Sequence, residues 1–295
     1  MACRYKFSVV PGYFIDNVAA AKDCPGSKLT TRPNLGLVER LYESDDAASA
    51  PKSSWVRFCQ HVETLNRDSA PGESFKILFI TRHGLSVHNA VMERVGNAAW
   101  NIHWSHLEGD GNLSWVDAKL TRDGIRLAQS LGELWFNWVE SSGIPLPGRI
   151  YTSPLARCLE TTKLVYSAVM TEHGDEFRPI VKELLRERLT DHTCDKRSSR
   201  SWIAENYPNF VLEEGFAEAD DLWRADRCET NAQHVARKQQ LLEDIFTNDA
   251  SYFISLTTHS YAISSILEAT GAPHFRVCEG AIFPLFVKGA RLERR

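Results

Sequence analysis

The sequence lacks any long uninterrupted hydrophobic segment, and this absence limits what the protein can be. The longest apolar runs, such as the one at 251–257, are far shorter than the roughly 20 residues that a membrane-spanning helix needs. The N-terminus also lacks the apolar stretch of about 7–15 residues that marks a secretory signal peptide. We therefore expect a chain that is neither inserted in a membrane nor secreted.

An excess of positive charge and paired cysteine motifs are absent as well. The formal net charge is −4 at pH 7, so no global basic field would attract nucleic acid or an acidic membrane surface. The seven cysteines are an odd number and show no CxxC spacing, which favours reduced, mostly buried thiols and a cytoplasmic location. Any anionic substrate must then be bound by a few local cations.

Residues 1–74 differ from the rest of the chain. They contain several Pro-Gly pairs and a polar stretch at 44–54, with one helical pattern between Trp55 and Leu65. Such turn-rich segments connect or cover regular elements. We predict an N-terminal extension that wraps a core formed by residues 75–295, and not a separate domain.

Strand patterns alternate with helix patterns from residue 75 onward. Four segments have the apolar composition of strands: 75–81, 149–152, 251–257 and 281–287. Helices are predicted to begin at Thr121, at Ser153-Pro154 and at Ser260, each with a hydroxyl side chain as N-cap. This alternation predicts a three-layer α/β sandwich with a mainly parallel sheet and helices on both faces.

Three of the predicted strands are followed by residues that suit phosphate binding. These motifs are Thr81-Arg82-His83-Gly84, Ser153-Pro154-Leu155-Ala156-Arg157 and Thr258-His259-Ser260. In open α/β sheets, ligands bind outside the carboxyl ends of the strands. We therefore expect Arg82, His83, Arg157 and His259 to meet at one edge of the sheet.

The chemistry of these side chains favours a phosphomonoester. Guanidinium groups bind phosphate oxygens in bidentate fashion, and Arg157 in the first turn of its helix would add to a favourable helix dipole. A neutral imidazole at His83 can attack phosphorus and form a phosphohistidine, while Gly84 would allow close backbone approach. Positioning and charge stabilisation suffice for this reaction, so no metal or other cofactor is expected.

The ordered motifs also resemble a known family. Those similar to the signatures of the histidine phosphatase (phosphoglycerate mutase-like) superfamily lie at 82–89, 120–124, 152–162 and 258–260. Those similar to fungal phosphomutase-like proteins lie at 100–110, 115–120 and 194–199. The resemblance covers about 75–290 and implies a phosphoglycerate mutase-like fold.

This resemblance implies a role for each matching residue of the pocket. His83 would be the phosphorylated nucleophile. Arg82, Arg157 and His259 would line the phosphate pocket, and Asn89 would contribute a hydrogen bond to the phosphoryl group.

The resemblance further implies a carboxylate as general acid, placed after a middle strand. Glu187 fits the Leu-x-Glu context of the family and would protonate the leaving alkoxide and then activate water. Glu183 and Asp191 compete for this role, because charged residues crowd 182–195. Leu85 stands where many relatives have Glu or Gln. This difference leaves the identity of the substrate open but does not affect the expected phosphoryl transfer.

Other patterns have both a packing and a functional interpretation. The tryptophans within 100–115 either pack an insertion onto the core or form an aromatic wall over an apolar substrate group. The cations within 186–200 form a solvated face or bind further anionic groups. His103 and His106 have ligand-like spacing, but no accompanying motif supports a metal site.

We therefore predict a phosphatase that hydrolyses a small-molecule phosphate ester through a phosphohistidine on His83. The alternatives are a mutase that returns the phosphoryl group to another hydroxyl of the same substrate, and a binding protein without turnover. A third is a family member recruited to a specialised biosynthetic pathway with a phosphorylated or diphosphorylated intermediate. No metal, cofactor, nucleic-acid or membrane partner is expected, and the oligomeric state is left open.

Overall fold

The computed structural model describes residues 5–43, 45 and 52–292, and its central element is a seven-stranded sheet. The strands are β1 (Tyr5–Val9), β2 (Lys28–Leu29), β3 (Glu73–Arg82), β4 (Arg149–Thr152), β5 (Ile180–Val181), β6 (Val211–Leu212), β7 (Phe253–Thr258), β8 (Arg276–Val277) and β9 (Ile282–Arg291). The helices are α1 (Asn17–Lys22), α2 (Ser54–Asp68), α3 (Val87–Val95), α4 (Asn97–Ile102), α5 (Arg122–Ser142), α6 (Ala156–Glu172), α7 (Arg200–Asn206), α8 (Asn231–Asn248) and α9 (Ser260–Ala269).

The main sheet has the strand order β1-β9-β3-β7-β4-β5-β6. Neighbouring strands from β3 to β6 in this order pair in parallel. At the other end of the sheet, β9 pairs antiparallel with both β3 and β1. The two remaining strands, β2 and β8, pair with each other in parallel. The predicted α/β fold with a mainly parallel sheet is confirmed.

Strand β3 explains why helices cover both faces. Ile77 and Phe79 pack into a core that includes residues of α2, α5 and α6, whereas Leu78 and Ile80 pack with residues of α8 and α9. Successive side chains of a strand point to opposite faces, so the apolar run at 75–81 is buried on both sides. Burial of each large apolar side chain contributes about 1.5–3 kcal/mol to folding.

The N-terminal residues contribute to both sheets. β1 extends the main sheet beside β9, β2 pairs with β8, and α2 buries Trp55 and Phe58 in the core. The division into an N-terminal extension (1–74) and a catalytic domain (75–295) stays a prediction.

Helix α5 begins and ends where the local sequence places it. Thr121 is the N-cap, and its hydroxyl accepts a hydrogen bond from the Gly124 amide at 3.0 Å. Gly143 adopts the left-handed conformation that ends the helix. A Cβ on Gly124 would lie 2.0 Å from the Leu85 carbonyl oxygen, so the helix start fits closely against the loop after β3.

Two predicted helix caps are wrong. Helix α6 begins at Ala156 after Leu155, so Ser153 is not its N-cap, and the N-cap of α9 is His259 and not Ser260. The hydroxyl of Ser153 lies 2.7 Å from His259 Nε2, so it serves the site and not the helix.

Six of the seven cysteines lie within the described residues, and all six are free thiols. Cys158 and Cys194 are buried, whereas the other four are partly or fully exposed, so the prediction of mostly buried thiols is wrong for these residues. The helices of the described ranges are all too short or too polar to cross a membrane.

Candidate active site

The site begins where β3 and β7 end side by side. Arg82 is paired in register with Thr258, and the His83 amide donates to the Thr258 carbonyl at 3.0 Å. The next residue after each strand is a histidine, and the ring centroids of His83 and His259 lie 5.1 Å apart. Parallel pairing therefore brings together two histidines that are far apart in sequence.

His83 has a defined tautomer. Its Nδ1 lies 2.8 Å from the carbonyl oxygen of Gly84, which can only accept, so Nδ1 carries the proton and Nε2 carries the lone pair. Burial, and then the charges of Arg157 and Arg82, hold the pKa of His83 well below its usual range. The imidazole is therefore neutral at physiological pH, as a nucleophile requires.

The two arginines are almost completely buried and each has a carboxylate partner. Arg82 donates from Nη1 to the Val277 carbonyl at 2.7 Å, and its Nη2 is 2.8 Å from Glu279 Oε1. Arg157 is 1% exposed, and its Nη2 is 3.2 Å from Asp195 Oδ1.

Each of the two guanidinium groups also has one donor, its Nε, without a hydrogen-bond partner in the described part of the chain. The Nε atoms of Arg82 and Arg157 are buried and have no hydrogen-bond partner among the described residues. A buried donor without a partner costs about 1–3 kcal/mol. The Nε atoms of Arg186 and Arg188 also have no partner among the described residues, so the donors of Arg82 and Arg157 are available to an oxyanion but do not by themselves identify a phosphate pocket.

His259 is fully buried and neutral. Its Nε2 lies 2.7 Å from Ser153 Oγ and 3.4 Å from Cys158 Sγ. Burial, and then the charge of Arg157, hold the pKa of His259 well below its usual range. Its ring is fixed beside His83 as a hydrogen-bonding group without charge.

Asn89 closes a small polar network at the start of α3. Its Oδ1 accepts from the Ser86 amide and from the Ser86 hydroxyl, and its Nδ2 lies 3.1 Å from His88 Nε2. The centroid of the His88 ring is 6.1 Å from that of His83. The structure thus places Asn89 as a capping residue that holds His88 near His83, and its direct bond to a phosphoryl group stays a prediction.

Glu187 lies at the N-terminus of α9. Its Oε2 accepts from the Tyr261 amide at 3.1 Å, and its Oε1 accepts from the Ala262 amide at 2.9 Å. Burial, and then the negative charge of Asp195, raise the pKa of Glu187. A carboxyl group with a raised pKa keeps its proton to a higher pH than a free glutamic acid does, as a general acid must.

The competing carboxylates are occupied differently. Glu183 accepts from Arg197 Nε at 2.6 Å and from Arg186 Nη1 at 3.2 Å, so it is held in ion pairs. Asp191 is partly exposed, and its Oδ2 lies 3.7 Å from His106 Nδ1. These contacts favour Glu187 as the acid, although the role itself stays a prediction.

Two cations of α8 hold the backbone that carries Glu187. Lys238 is fully buried and donates to the carbonyls of Leu184 and Arg186, each at 2.6 Å. Arg237 donates to the carbonyl of Glu187 at 2.8 Å. These hydrogen bonds fix the turn after β5, so Glu187 is presented from a rigid support.

Asp117 holds the start of α6. Its Oδ1 accepts from the Ala156 amide at 2.8 Å, and its Oδ2 accepts from the amide and the hydroxyl of Ser198. A remote carboxylate therefore meets the positive end of the helix dipole, which the sequence led us to expect would face the substrate. Arg157 lies one residue further along the helix and is positioned by the same contact.

The tryptophan-rich insertion at 100–115 follows the packing interpretation. Trp100 and Trp115 are buried in a small core with Val91, Ala118 and Cys194. This packing supports the segment that carries Asp117.

Two of the cations within 186–200 neither form a solvated face nor are free to bind further anionic groups. Arg186 and Arg197 are buried, and both pair with Glu183, while Arg186 also pairs with Asp220 at 2.6 Å. They are therefore structural ion pairs, neither a solvated face nor free phosphate ligands.

One group of donors has the composition of a metal site. Donor atoms of His192, Cys194 and Asp195 lie within 4.8 Å of one another. Both oxygens of Asp195 already accept hydrogen bonds, from Arg157 and from the hydroxyl of Thr190. The adjacent guanidinium would repel a cation, so this set fits an ion pair with Arg157 better than a metal.

Sequence reasoning missed the carboxylates that complete the site. Asp117, Asp195 and Glu279 bond to the start of α6 or to the arginines from distant parts of the chain. Asp117 and Asp195 lie in the segments 115–120 and 194–199 that resemble fungal phosphomutase-like proteins, but nothing in the sequence indicates which helix or arginine these three carboxylates contact.

Comparison with known proteins gives this geometry a context. The sequence model described as "Histidine phosphatase superfamily (branch 1)" matches residues 78–276. A protein of Arthroderma benhamiae named "Probable phosphoglycerate mutase" is 40% identical over 284 residues, covering 96% of this chain and 84% of that protein. A Saccharomyces cerevisiae protein named "Probable phosphoglycerate mutase" is 35% identical, covering 65% of this chain and 71% of that protein.

Solved structures are similar at lower identity. The alpha-ribazole phosphatase of Shigella flexneri is 16% identical with a TM-score of 0.43, and the match covers 71% of this chain and 93% of that one. A mycobacterial glucosyl-3-phosphoglycerate phosphatase is 19% identical with a TM-score of 0.38, covering 66% of this chain and 81% of that one.

The neutral state of His83 is directly measurable. We expect the ring to keep its Nδ1–H tautomer between about pH 6 and pH 8, because its pKa lies below the usual value of about 6.5. Long-range ¹H–¹⁵N NMR of imidazole-labelled protein reports this, with His83→Gln identifying the signal. A His83 signal that titrates near pH 6.5, or one with the proton on Nε2, would contradict the assignment.

Proposed function

The chain belongs to the histidine phosphatase superfamily, and from this premise we propose that it hydrolyses a small-molecule phosphomonoester through a phosphohistidine on His83. The observation that carries the proposal is a buried neutral imidazole with its lone pair on Nε2, close to the charges of Arg82 and Arg157. Such a group is a nucleophile in a site that favours a phosphate dianion.

In the first step, His83 Nε2 attacks phosphorus and the bond between phosphorus and the ester oxygen breaks. Arg82 and Arg157 stabilise the charge on the phosphoryl oxygens as it passes to the imidazole. Glu187 in its protonated form donates its proton to the leaving alkoxide, which departs as an alcohol.

In the second step, water attacks the phosphohistidine and the bond between Nε2 and phosphorus breaks. Glu187, now ionised, accepts the proton of that water and returns to its acid form. Inorganic phosphate leaves, and His83 regains its lone pair. The cycle needs no redox partner, since only a phosphoryl group and protons move.

A mutase is the second candidate, and the names of two fungal relatives favour it. A mutase would pass the phosphoryl group from His83 to another hydroxyl of the same substrate. With a phosphoglycerate as substrate, a phosphatase releases phosphate from the start of the reaction, whereas a mutase forms the isomer without equivalent phosphate release.

The nucleophile is tested by trapping. Acid-sensitive, base-stable label should appear on the wild-type protein after brief reaction with a ³²P-labelled phosphomonoester. His83→Gln should lose this label and at least about a thousandfold in turnover, because removing a covalent nucleophile removes the reaction path. His103→Gln, an exposed histidine outside the pocket, is the control. Retention of label and activity in His83→Gln would refute the proposal.

The general acid is tested by comparing the hydrolysis of esters with poor and good leaving groups. Glu187→Gln should slow alkyl phosphate hydrolysis about 10²–10⁴-fold but 4-nitrophenyl phosphate hydrolysis much less, because a good leaving group needs no proton. In the wild type, the alkyl rate should fall as pH rises through the raised pKa of Glu187. Equal losses on both esters, or the selective loss in a matched Asp191→Asn variant, would assign the acid elsewhere.

A further inference from the structure

Glu279 lies between a cation of the pocket and a cation of the N-terminal segment. Its Oε1 is 2.8 Å from Arg82 Nη2, and both of its oxygens are 3.3 Å from Lys28 Nζ. The side chains of Arg82, Glu279 and Lys28 are 8%, 17% and 27% exposed, so the contact is shielded from water toward the pocket. Burial acts to raise the pKa of Glu279, but the charges of Arg82 and then Lys28 lower it below the usual value, so the carboxylate is ionised.

The loop that carries Glu279 is held by residues 28–31. Besides the pairing of β2 with β8, the Cys278 amide donates to the Leu29 carbonyl at 2.9 Å, and the Ile282 amide donates to Thr31 Oγ1 at 3.1 Å. The N-terminal segment therefore fixes the loop from both of its ends.

The same loop surrounds the backbone of the nucleophile. The Gly280 amide lies within hydrogen-bond distance of the carbonyls of Arg82 and His83, at 3.1 and 3.0 Å, and the Val277 carbonyl accepts from Arg82. Glu279 is thus rigidly placed against the guanidinium that a phosphoryl group must share with it.

This sharing has an electrostatic consequence. A carboxylate in contact with Arg82 offsets part of the positive charge that attracts a phosphate dianion. Lys28 in turn offsets part of the charge of Glu279. Affinity for phosphate then depends on a chain of three alternating charges, and its outermost member belongs to the N-terminal segment.

We propose that Glu279 is a positioning residue and counter-charge that limits how tightly Arg82 binds phosphate, and that Lys28 sets the strength of this limit through Glu279. The inference rests on the proposed function, because it concerns the phosphate pocket. A pocket restrained in this way releases its phosphate product faster than one with an unpaired guanidinium.

The test measures inorganic phosphate as probe, by calorimetric binding and by competitive inhibition of 4-nitrophenyl phosphate hydrolysis. Glu279→Gln keeps an acceptor for Arg82 but removes the charge, so phosphate should bind about five- to tenfold more tightly. Glu279→Asp keeps the charge and should stay within about twofold of wild type. A structural defect would weaken binding, so tighter binding is specific to the proposal.

Substitution of Lys28 should change phosphate affinity in the opposite direction. Lys28→Met leaves Glu279 uncompensated against Arg82, so phosphate should bind about threefold more weakly. In the Glu279→Gln background the same substitution should change affinity by less than about twofold, because coupled residues are non-additive. A Lys28→Met effect that persists undiminished there would overturn the claim that Lys28 acts through Glu279.

The matched control is Glu73→Gln, which breaks a 2.7 Å ion pair with Lys288 at the opposite end of β3. Its phosphate affinity should equal that of wild type. Unchanged or weaker phosphate binding in Glu279→Gln, with a wild type that binds and hydrolyses normally, would overturn the inference alone. A wild type that neither binds phosphate nor hydrolyses the ester would overturn the proposed function and the inference with it.

Discussion

The parallel pairing of β3 with β7 and of β7 with β4 places Arg82, His83, His259 and the turn that leads to Arg157 side by side. Arg82 is in register with Thr258, and Thr152 is in register with Thr257, so the three strands end at nearly the same level. The residues that follow these strands are therefore presented at one edge of the sheet. A change of register by one residue would turn the two histidines to opposite faces, which is why the hydrophobic pattern of β3 also protects the site.

Pairing of buried charge is the second constraint. Isolated buried ions are very costly, and a buried arginine persists only with acceptors in good geometry. Arg82 and Arg157 have Glu279 and Asp195, while Lys238 has backbone carbonyls. The pocket is therefore a set of paired charges, in which the Nε atoms of Arg82 and Arg157 have no hydrogen-bond partner among the described residues. Burial and the positive charges of the arginines keep the histidines neutral.

The elements with local signals could be predicted from the sequence, and the long-range contacts could not. The apolar run of β3 and the Thr121 cap of α5 depend on neighbouring residues, so periodicity and capping preferences found them. Ser153 has the local signature of a cap, but a tertiary hydrogen bond to His259 takes its hydroxyl. The carboxylates that cap α6 and α9 are Asp117 and Glu187. They lie 39 and 75 positions before Ala156 and Ala262, the residues whose amides they accept from. Likewise, the motifs suggested the arginines of the pocket, but nothing near them in sequence suggested their carboxylate partners.

Our central proposal is that one tetrahedral oxyanion binds between Arg82 and Arg157 with His83 Nε2 facing its centre. A crystal structure of the protein with orthovanadate tests this most directly. We expect vanadium bonded to His83 Nε2, with vanadate oxygens accepting from Arg82 and Arg157. Vanadate bound at another place, or bound here with His83 turned away, would contradict the account.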